Sequence, residues 1–315
     1  MNVQLPVGPG RDPSKRHLDA RHVPVVGVVD LDRDWTNRRV GPPDQPDQQS
    51  GLIEYGLQAL DAGAISTAQF LDLNAKIGGF DSDGNVVRTR SVANAAAARA
   101  AYRTGRLTSA SAGLAHVPII DYRNYLDDAK DGDVHVRYHS FSFRERLVRA
   151  NGHADNHVMI VEDNRYRGNS SSPVYQEALQ QMDRWLTTMA ADTSSDPAIV
   201  KIRRAKPADL VDACWTRDAS PQKIAEKQTR DMTSRCAQLY PTASYPREVA
   251  GAPIPSDIIK CRPKPVDAKD YKVAFTAEEM AQLRTIFAGG VCDWSKPGVD
   301  QEKLGGTWQR FPSGT

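Results

Sequence analysis

Two short apolar runs, separated by a polar stretch and a predicted helix, constrain the fold of this chain most strongly. The runs are Val117–Ile120 and His157–Val161, and each has the length and composition of a strand that is buried on both faces. Between them lie an acidic loop over residues 121–140 and a helix that we predict to begin at a capping box of Ser142 and Glu145. Parallel strands need a crossover of this kind. The pattern predicts that the two runs are neighbouring parallel strands.

Helical patterns lie on both sides of this unit. Ser66, Ser172 and Thr276 each occupy the N-cap position of a predicted helix, followed by a Gln or Glu three residues later or directly by a proline. The helix after Ser172 has an apolar face at helical spacing, formed by Val174, Ala178, Met182, Trp185 and Met189. We interpret this face as part of the hydrophobic core. The alternation of helices with short buried strands predicts the α/β fold class.

Composition divides the chain into three parts. Residues 1–49 hold only one short β-type run, Val23–Val29, and end in a loop-like stretch, so we expect this part to be poorly structured. Residues 50–194 contain the helices and strands described above. Residues 195–315 are rich in proline and contain every cysteine of the chain. We interpret this last part as an irregular closing segment of the same domain, tied down by disulfides.

The charge balance excludes two classes of partner. The chain has 41 basic and 39 acidic residues, a net charge of +2, which is too balanced to indicate a nucleic acid or a membrane surface as partner. No apolar run approaches the roughly 20 residues of a membrane span. The first residues lack the apolar core of a secretory signal peptide.

The four cysteines favour an oxidising compartment. Cys214, Cys236, Cys261 and Cys292 lie in the last third of the chain, and no Cys-x-x-Cys is present. Four cysteines allow three pairings. We predict the sequential one, Cys214 with Cys236 and Cys261 with Cys292, which closes two modest loops. Disulfides would place the protein outside the cytosol, although the signal that directs a chain there is not seen at its start.

The acidic loop after the first strand contains candidates for acid–base chemistry. In an α/β hydrolase the triad follows the chain order Ser, acid, His, with each residue beyond the carboxyl end of a strand. Asp127 is our first choice for the acid because it lies near the strand without being its last residue; Asp121 and Asp128 are alternatives. The candidate bases are histidines in or near the loop: His135 and His139 first, then His153 and His157. The same residues can instead cap turns and lie on polar surface.

No nucleophile accompanies these candidates. The sequence contains no Gly-x-Ser-x-Gly elbow. The Ser-rich stretch 107–113 lacks the first glycine and precedes a strand, and Ser170–Ser172 form a helix entry.

Metal and cofactor patterns are weak as well. Asp131, Asp133, His135 and His139 contain suitable ligand atoms, but their spacing matches no established metal motif. No glycine-rich phosphate loop is present. We therefore expect neither a metal nor a cofactor.

Six segments, in collinear order between about residues 50 and 310, resemble a known family. They are EYGLQALDAGAISTAQFLDLNAKIGGFDSDGN, AYRTGR, GLAHVPIIDYRNYLDDAKDGDVHVRYHSFSFRERLVRANGHADNH, KPADLVDACW, DIIKCRPKPVDAKDYKVAFT and GVCDWSKPGV. Together they resemble the C-terminal half of a large, secreted bacterial family of uncharacterised function. That family is related in general shape to tannase, feruloyl-esterase and hydroxybutyrate-oligomer-hydrolase proteins.

The resemblance implies a partial α/β-hydrolase-like sheet, with the serine elbow in polypeptide that precedes residue 1. It implies that Asp127 and His135 match the family's acidic loop, and that the cysteines near Trp215 and Trp294 form structural bridges. It also implies an extracellular or periplasmic protein that acts on a small-molecule ester or polyester.

Two functional hypotheses follow. The first is the C-terminal part of an ester hydrolase, inactive alone. The alternative is a non-catalytic binding or structural protein on a hydrolase-like scaffold. The sequence leaves the oligomeric state open.

Overall fold

The computed structural model describes residues 52–81, 85–130, 132–167 and 170–306. Residues 1–49, with the β-type run Val23–Val29, lie outside these ranges. The helices within them are α1 Leu57–Asp61, α2 Thr67–Lys76, α3 Ala95–Arg103, α4 Tyr138–Asn151, α5 Pro173–Ala191, α6 Ala198–Ala205, α7 Arg235–Leu239, α8 Pro246–Val249 and α9 Ala277–Ile286. The strands are β1 Gly79–Phe80, β2 Val86–Val87, β3 Ile119–Asn124, β4 His157–Glu162, β5 Ala213–Trp215, β6 Lys223–Ala225, β7 Arg262–Lys264 and β8 Val291–Asp293.

A four-stranded sheet in the order β3-β4-β5-β6 forms the centre of the α/β part. β3 and β4 are parallel, with Ile119 opposite His157 and Asn124 opposite Glu162, and β5 continues the parallel arrangement. β6 runs antiparallel to β5 at the edge. The prediction of two neighbouring parallel strands is confirmed.

The bounds of β3 differ from the sequence prediction. The strand begins at Ile119 and continues through Asp121 to Asn124, so the first residues of the expected acidic loop belong to the sheet. The side chains of Asp121 and Arg123 are stabilised there by α4, since Arg123 Nε donates a hydrogen bond to Ser140 Oγ. Polar residues are therefore compatible with this strand.

The predicted start of α4 was also wrong. The helix begins at Tyr138, four residues before the expected N-cap Ser142, and ends at Gly152 in the left-handed conformation as expected. Ser142 is buried within the helix, and its Oγ donates to the carbonyl of Pro255 at 2.8 Å. Its hydroxyl thus serves a long-range contact instead of a cap.

Helix α5 packs on the face of the sheet that is opposite to α4. Ser172 Oγ accepts the N–H of Tyr175, and Pro173 is the first residue of the helix, as predicted. The core formed there includes Val158 of β4 and Trp185 of α5. Trp185 is fully buried, and its indole N–H donates to the carbonyl of Ile202 in α6.

A second group of elements joins the first third of the described chain to its last third. α2 and α9 pack together, and both capping boxes predicted for them are present. Their shared core includes Phe70 and Leu71 from one side and Leu283 and Phe287 from the other. This cluster thus contains residues from both the second and the third part of the chain.

Two disulfides connect the cysteines in the predicted sequential order. Cys214 and Cys236 have Cα atoms 5.7 Å apart and tie β5 to α7. Cys261 and Cys292 have Cα atoms 5.4 Å apart and lie beside the β7–β8 pair. None of the helices in the described ranges has the length and apolarity required to cross a bilayer.

Candidate functional site

The carboxyl ends of the parallel strands meet at one edge of the four-stranded sheet, where α/β proteins place their functional loops. β3 ends there at Asn124 and leads into the loop that carries Asp127, Asp128 and His135. The loop ends at α4, which begins at Tyr138. This edge of the sheet therefore carries the candidates of the loop, Asp127, Asp128 and His135.

Asp127 anchors this loop. Its Oδ1 accepts the backbone N–H of Arg137 at 2.8 Å, and its Oδ2 accepts the backbone N–H of Ala243 at 2.8 Å. One carboxylate thus joins the start of α4 to a segment more than a hundred residues later. Among the contacts of the described residues, Asp127 makes none with His135, so the structure does not bring these two side chains into a hydrogen bond.

His135 is paired instead with Asp133. The Nδ1 atom of His135 lies 2.7 Å from Oδ1 of Asp133, which also accepts the backbone N–H of His135. That backbone bond, followed by the bond and charge of the ring, lowers the pKa of the Asp133 carboxyl. Because an ionised carboxylate can only accept, Nδ1 carries the proton in this pair. The ring is 74% exposed, and its Nε2 makes no hydrogen bond with any residue that the structure describes.

Sequence reasoning named Asp133 only as a possible metal ligand. The signal for its role was the Asp-x-His spacing, because an Asp side chain readily accepts the backbone N–H two residues later. The carboxylate that receives this bond is then within reach of the imidazole of the same residue.

The remaining candidates of the loop have other partners. Asp128 Oδ2 accepts a hydrogen bond from Arg217 at 2.7 Å, and the Arg217 guanidinium lies over the rings of Tyr125 and Tyr240. His139 Nε2 lies 3.0 Å from the carbonyl oxygen of Val134. Neither side chain is joined to His135.

A second carboxylate–imidazole pair is buried between the sheet and α4. Asp121 Oδ2 lies 3.6 Å from Nε2 of His157, whose side chain is fully buried. Burial opposes ionisation of Asp121, but the contact with His157 and the charge of Arg123 hold its pKa below the usual value. This pair joins one alternative acid to one second-choice base.

Arg144 of α4 determines which ring nitrogen of neutral His157 carries the proton. Its Nε donates to Nδ1 of His157 at 3.1 Å, and its two terminal nitrogens bind Asp212 at 2.5 and 2.8 Å. Since Nδ1 accepts, the neutral His157 ring carries its proton on Nε2, facing Asp121. His157 is the first residue of β4, at the opposite end of the strand from the carboxyl edge. The network therefore holds α4 on the sheet and is not open to a substrate.

A nucleophile does not accompany the exposed pair. The His135 ring contacts no serine hydroxyl in the described ranges. In the Ser-rich stretch 107–113, the hydroxyls of Ser109 and Ser111 form a hydrogen bond with each other at 2.6 Å. His153, the last candidate base, has a buried Nδ1 without a hydrogen-bond partner. Asp131 lies outside the described residues, and among those described no group of three or more His, Cys, Asp or Glu side chains is placed to hold a metal ion.

Comparison with known proteins identifies a relationship at the level of a family. The model of a family described as "Tannase-like family of unknown function (DUF6351)" matches residues 30–303. Neither the curated proteins nor the solved structures contain a match to this chain.

Proposed function

Since this chain belongs to the tannase-like family of unknown function, we propose that it carries the general-base part of an ester hydrolase. In this proposal His135 is the base, Asp133 orients its ring, and Asp127 positions the loop that holds both. The substrate is a small-molecule ester or a polyester. The serine that attacks the ester is supplied by polypeptide outside this chain.

The contact between His135 and Asp133 is the observation that carries the proposal. A histidine base works when an orienting group, such as a carboxylate, holds one ring nitrogen and fixes the tautomer, and when the second nitrogen is free to take a proton. His135 has its Nδ1 on Asp133 and its Nε2 directed away from described partners. In acyl transfer Nε2 would take the serine proton as the hydroxyl attacks the ester carbonyl, and would return it to the departing alkoxide as the C–O bond breaks.

Asp127 supports this chemistry through position. Its two backbone hydrogen bonds tie the end of the loop to Ala243, and a base is effective only when it is held within hydrogen-bonding distance of its target. In this proposal Asp133 thus takes the place that the family resemblance gave to Asp127 as the acid beside His135.

The missing nucleophile supports the view that the chain is inactive alone. The sequence contains no Gly-x-Ser-x-Gly elbow, and the His135 ring has no hydroxyl partner among the described residues. The two disulfides support an extracellular or periplasmic location, where such bonds persist.

Production of the chain together with the polypeptide encoded immediately upstream of it tests the proposal. The purified complex should hydrolyse p-nitrophenyl butyrate, and His135→Gln should remove that activity while leaving the complex assembled. Turnover that is unchanged in His135→Gln would contradict the role of this base. The exposed His116→Gln is the matched control and should have no effect.

A non-catalytic binding or structural role is the second candidate. This role is favoured because two acidic side chains at the carboxyl edge are engaged in structural contacts. Asp127 binds two backbone amides, and Asp128 binds Arg217. If the chain is folded but hydrolyses no p-nitrophenyl butyrate, either alone or together with the upstream polypeptide, the result would favour this role.

A further inference from the structure

The outer edge of β3 has hydrogen-bonding groups without a strand partner in the described part of the chain. The N–H of Ile119 donates to the carbonyl of Asn156, and that of Tyr125 donates to Glu162. Backbone groups alternate in direction along a strand, so those of Ile120, Tyr122 and Asn124 point away from β4. Within the described ranges β4 is the one strand that pairs with β3. All six residues of β3 are half-buried.

An apolar flank of α5 lies beside this edge. On one flank of the helix, Glu177 accepts a hydrogen bond from Lys223 of β6. On the other flank, the Tyr175 ring meets Tyr122 of β3 edge-to-face at 5.1 Å between centroids. The side chains at helical spacing from Tyr175 are Leu179, Met182 and Leu186. Leu179 and Leu186 are 53% and 48% exposed. Large apolar side chains that are exposed beside an unpaired strand edge favour association with another chain.

We infer that a second copy of this chain covers the edge of β3 and the Tyr175 flank of α5. A two-fold axis through Tyr122 brings two β3 strands together as an antiparallel pair. This register sets Ile120 opposite the second copy's Asn124, and Tyr122 opposite its own counterpart. All outward-facing residues then oppose one another, as the hydrogen-bonded pairs of an antiparallel ladder require. The result is one continuous sheet across two chains.

Charge complementarity supports this register. With the axis at Tyr122, Asp121 of one copy lies opposite Arg123 of the other, and the reverse. Directly opposed residues of opposite charge stabilise antiparallel strands. Arg123 Nε already lies 3.5 Å from Asp121 Oδ1 within the chain, so the second copy extends an existing pair. A register shifted by one residue would oppose outward-facing groups to inward-facing ones and lose the hydrogen bonds.

The apolar flanks of α5 follow the same symmetry. Both copies of the helix lie on the same face of the joined sheet because the axis is perpendicular to it. Leu179 and Leu186 of the two copies then face each other across the axis and lose contact with water. The antiparallel arrangement brings the two carboxyl edges to opposite ends of the joined sheet. The inference concerns this chain without the upstream polypeptide, whose strands would pair with the same edge of β3 in the proposed hydrolase.

Light scattering after size exclusion, at micromolar concentration, tests the inference. The chain should have twice the mass of the 34.7 kDa monomer. Asn124→Pro removes an outward-facing N–H that β4 does not use, and proline is tolerated at such positions of edge strands. Leu186→Glu places like charges near the axis. Each variant should raise the dimer dissociation constant about tenfold or more.

Met232→Glu is the control, because Met232 is exposed to a similar extent, 54%, elsewhere on the surface; this variant should remain dimeric. Far-ultraviolet circular dichroism confirms that each variant is folded. Hydrogen exchange should show that the amides of Ile120 and Tyr122 exchange faster on dilution. A monomeric parent chain, whether its β3 amides are protected or not, would overturn the inference. A dimer that persists in both variants would also overturn it, since another surface would then hold the copies together.

Discussion

The Nδ1 atom of His135 lies 2.7 Å from Oδ1 of Asp133, and the same oxygen accepts the backbone N–H of His135. One carboxylate therefore fixes both the backbone and the ring of the proposed base. The carboxylate that the resemblance matched with His135, Asp127, instead binds the amides of Arg137 and Ala243. The two aspartates have separate tasks, and each task predicts a different response to mutation.

Asp133 should determine the tautomer of His135. Long-range proton–nitrogen NMR of the neutral ring should show the proton on Nδ1 in the parent chain, because the carboxylate accepts from it. Asp133→Asn should shift the population toward the form with the proton on Nε2. Asp128→Asn, which changes a carboxylate of the same loop that binds Arg217, should leave the tautomer unchanged. A parent ring already protonated on Nε2 would contradict the assignment.

Asp127 should matter more for stability than Asp128. Asp127→Ala removes two charge-assisted hydrogen bonds to backbone amides and should lower the free energy of unfolding by about 2–4 kcal/mol. Asp128→Ala removes an exposed ion pair with Arg217 and should cost less than about 1 kcal/mol. Urea denaturation of both variants measures the difference. Equal losses would show that the loop is not anchored through Asp127.

Glu54 should make the protein less stable as the pH rises from 4.5 to about 7. Burial raises the pKa of Glu54 to about 7, although the hydrogen bond from Tyr271 acts to lower it. The folded state then binds more protons than the unfolded state between pH 4.5, the ordinary value, and about 7. The stabilisation is fully present below that window and is lost across it, by about 3 kcal/mol.

Glu54→Gln tests this pH dependence because it keeps an oxygen for Tyr271 and removes the titration. The free energy of unfolding of this variant should vary less between pH 5 and pH 8 than that of the parent chain. The midpoint of denaturant unfolding measures the change. The exposed Glu278→Gln serves as control. A parent chain whose stability rises over this window, or an equal dependence in both variants, would contradict the raised pKa.

The Cys214–Cys236 bridge should stabilise the β5 region. It closes a loop with a sequence separation of 22, and its removal through a double Cys→Ser replacement should cost about 2–4 kcal/mol. Thermal unfolding with and without a reducing agent provides the measurement. The reducing agent should lower the midpoint of the parent chain, and it should lower that of the double variant less. No effect in either chain would mean that the bridge does not form.

Local patterns predicted much of the fold. The parallel strands β3 and β4 follow from two apolar runs, and the starts of α2, α5 and α9 follow from the caps at Ser66, Ser172 and Thr276. These signals act within a few residues. The start of α4 was wrong because Ser142 donates to the carbonyl of Pro255, a partner that no local pattern shows.

The site was less predictable for the same physical reason. Asp127 was chosen by its place after a strand, but Ala243, more than a hundred residues later, occupies one of its oxygens. Asp121 was expected in a loop, yet contact with His157 and α4 holds it within the sheet. Only His135 and Asp133, two residues apart, form a pair that a local pattern can reveal.

Under the proposed function, this chain supplies a histidine base, and the serine that the base serves lies in other polypeptide. Reaction of the purified chain with a fluorophosphonate, followed by peptide mass spectrometry and an assay on p-nitrophenyl butyrate, tests it directly. We predict no labelled serine in this chain and hydrolysis at the buffer rate. A single labelled serine, with ester turnover that disappears when that serine is replaced by alanine, would contradict the claim.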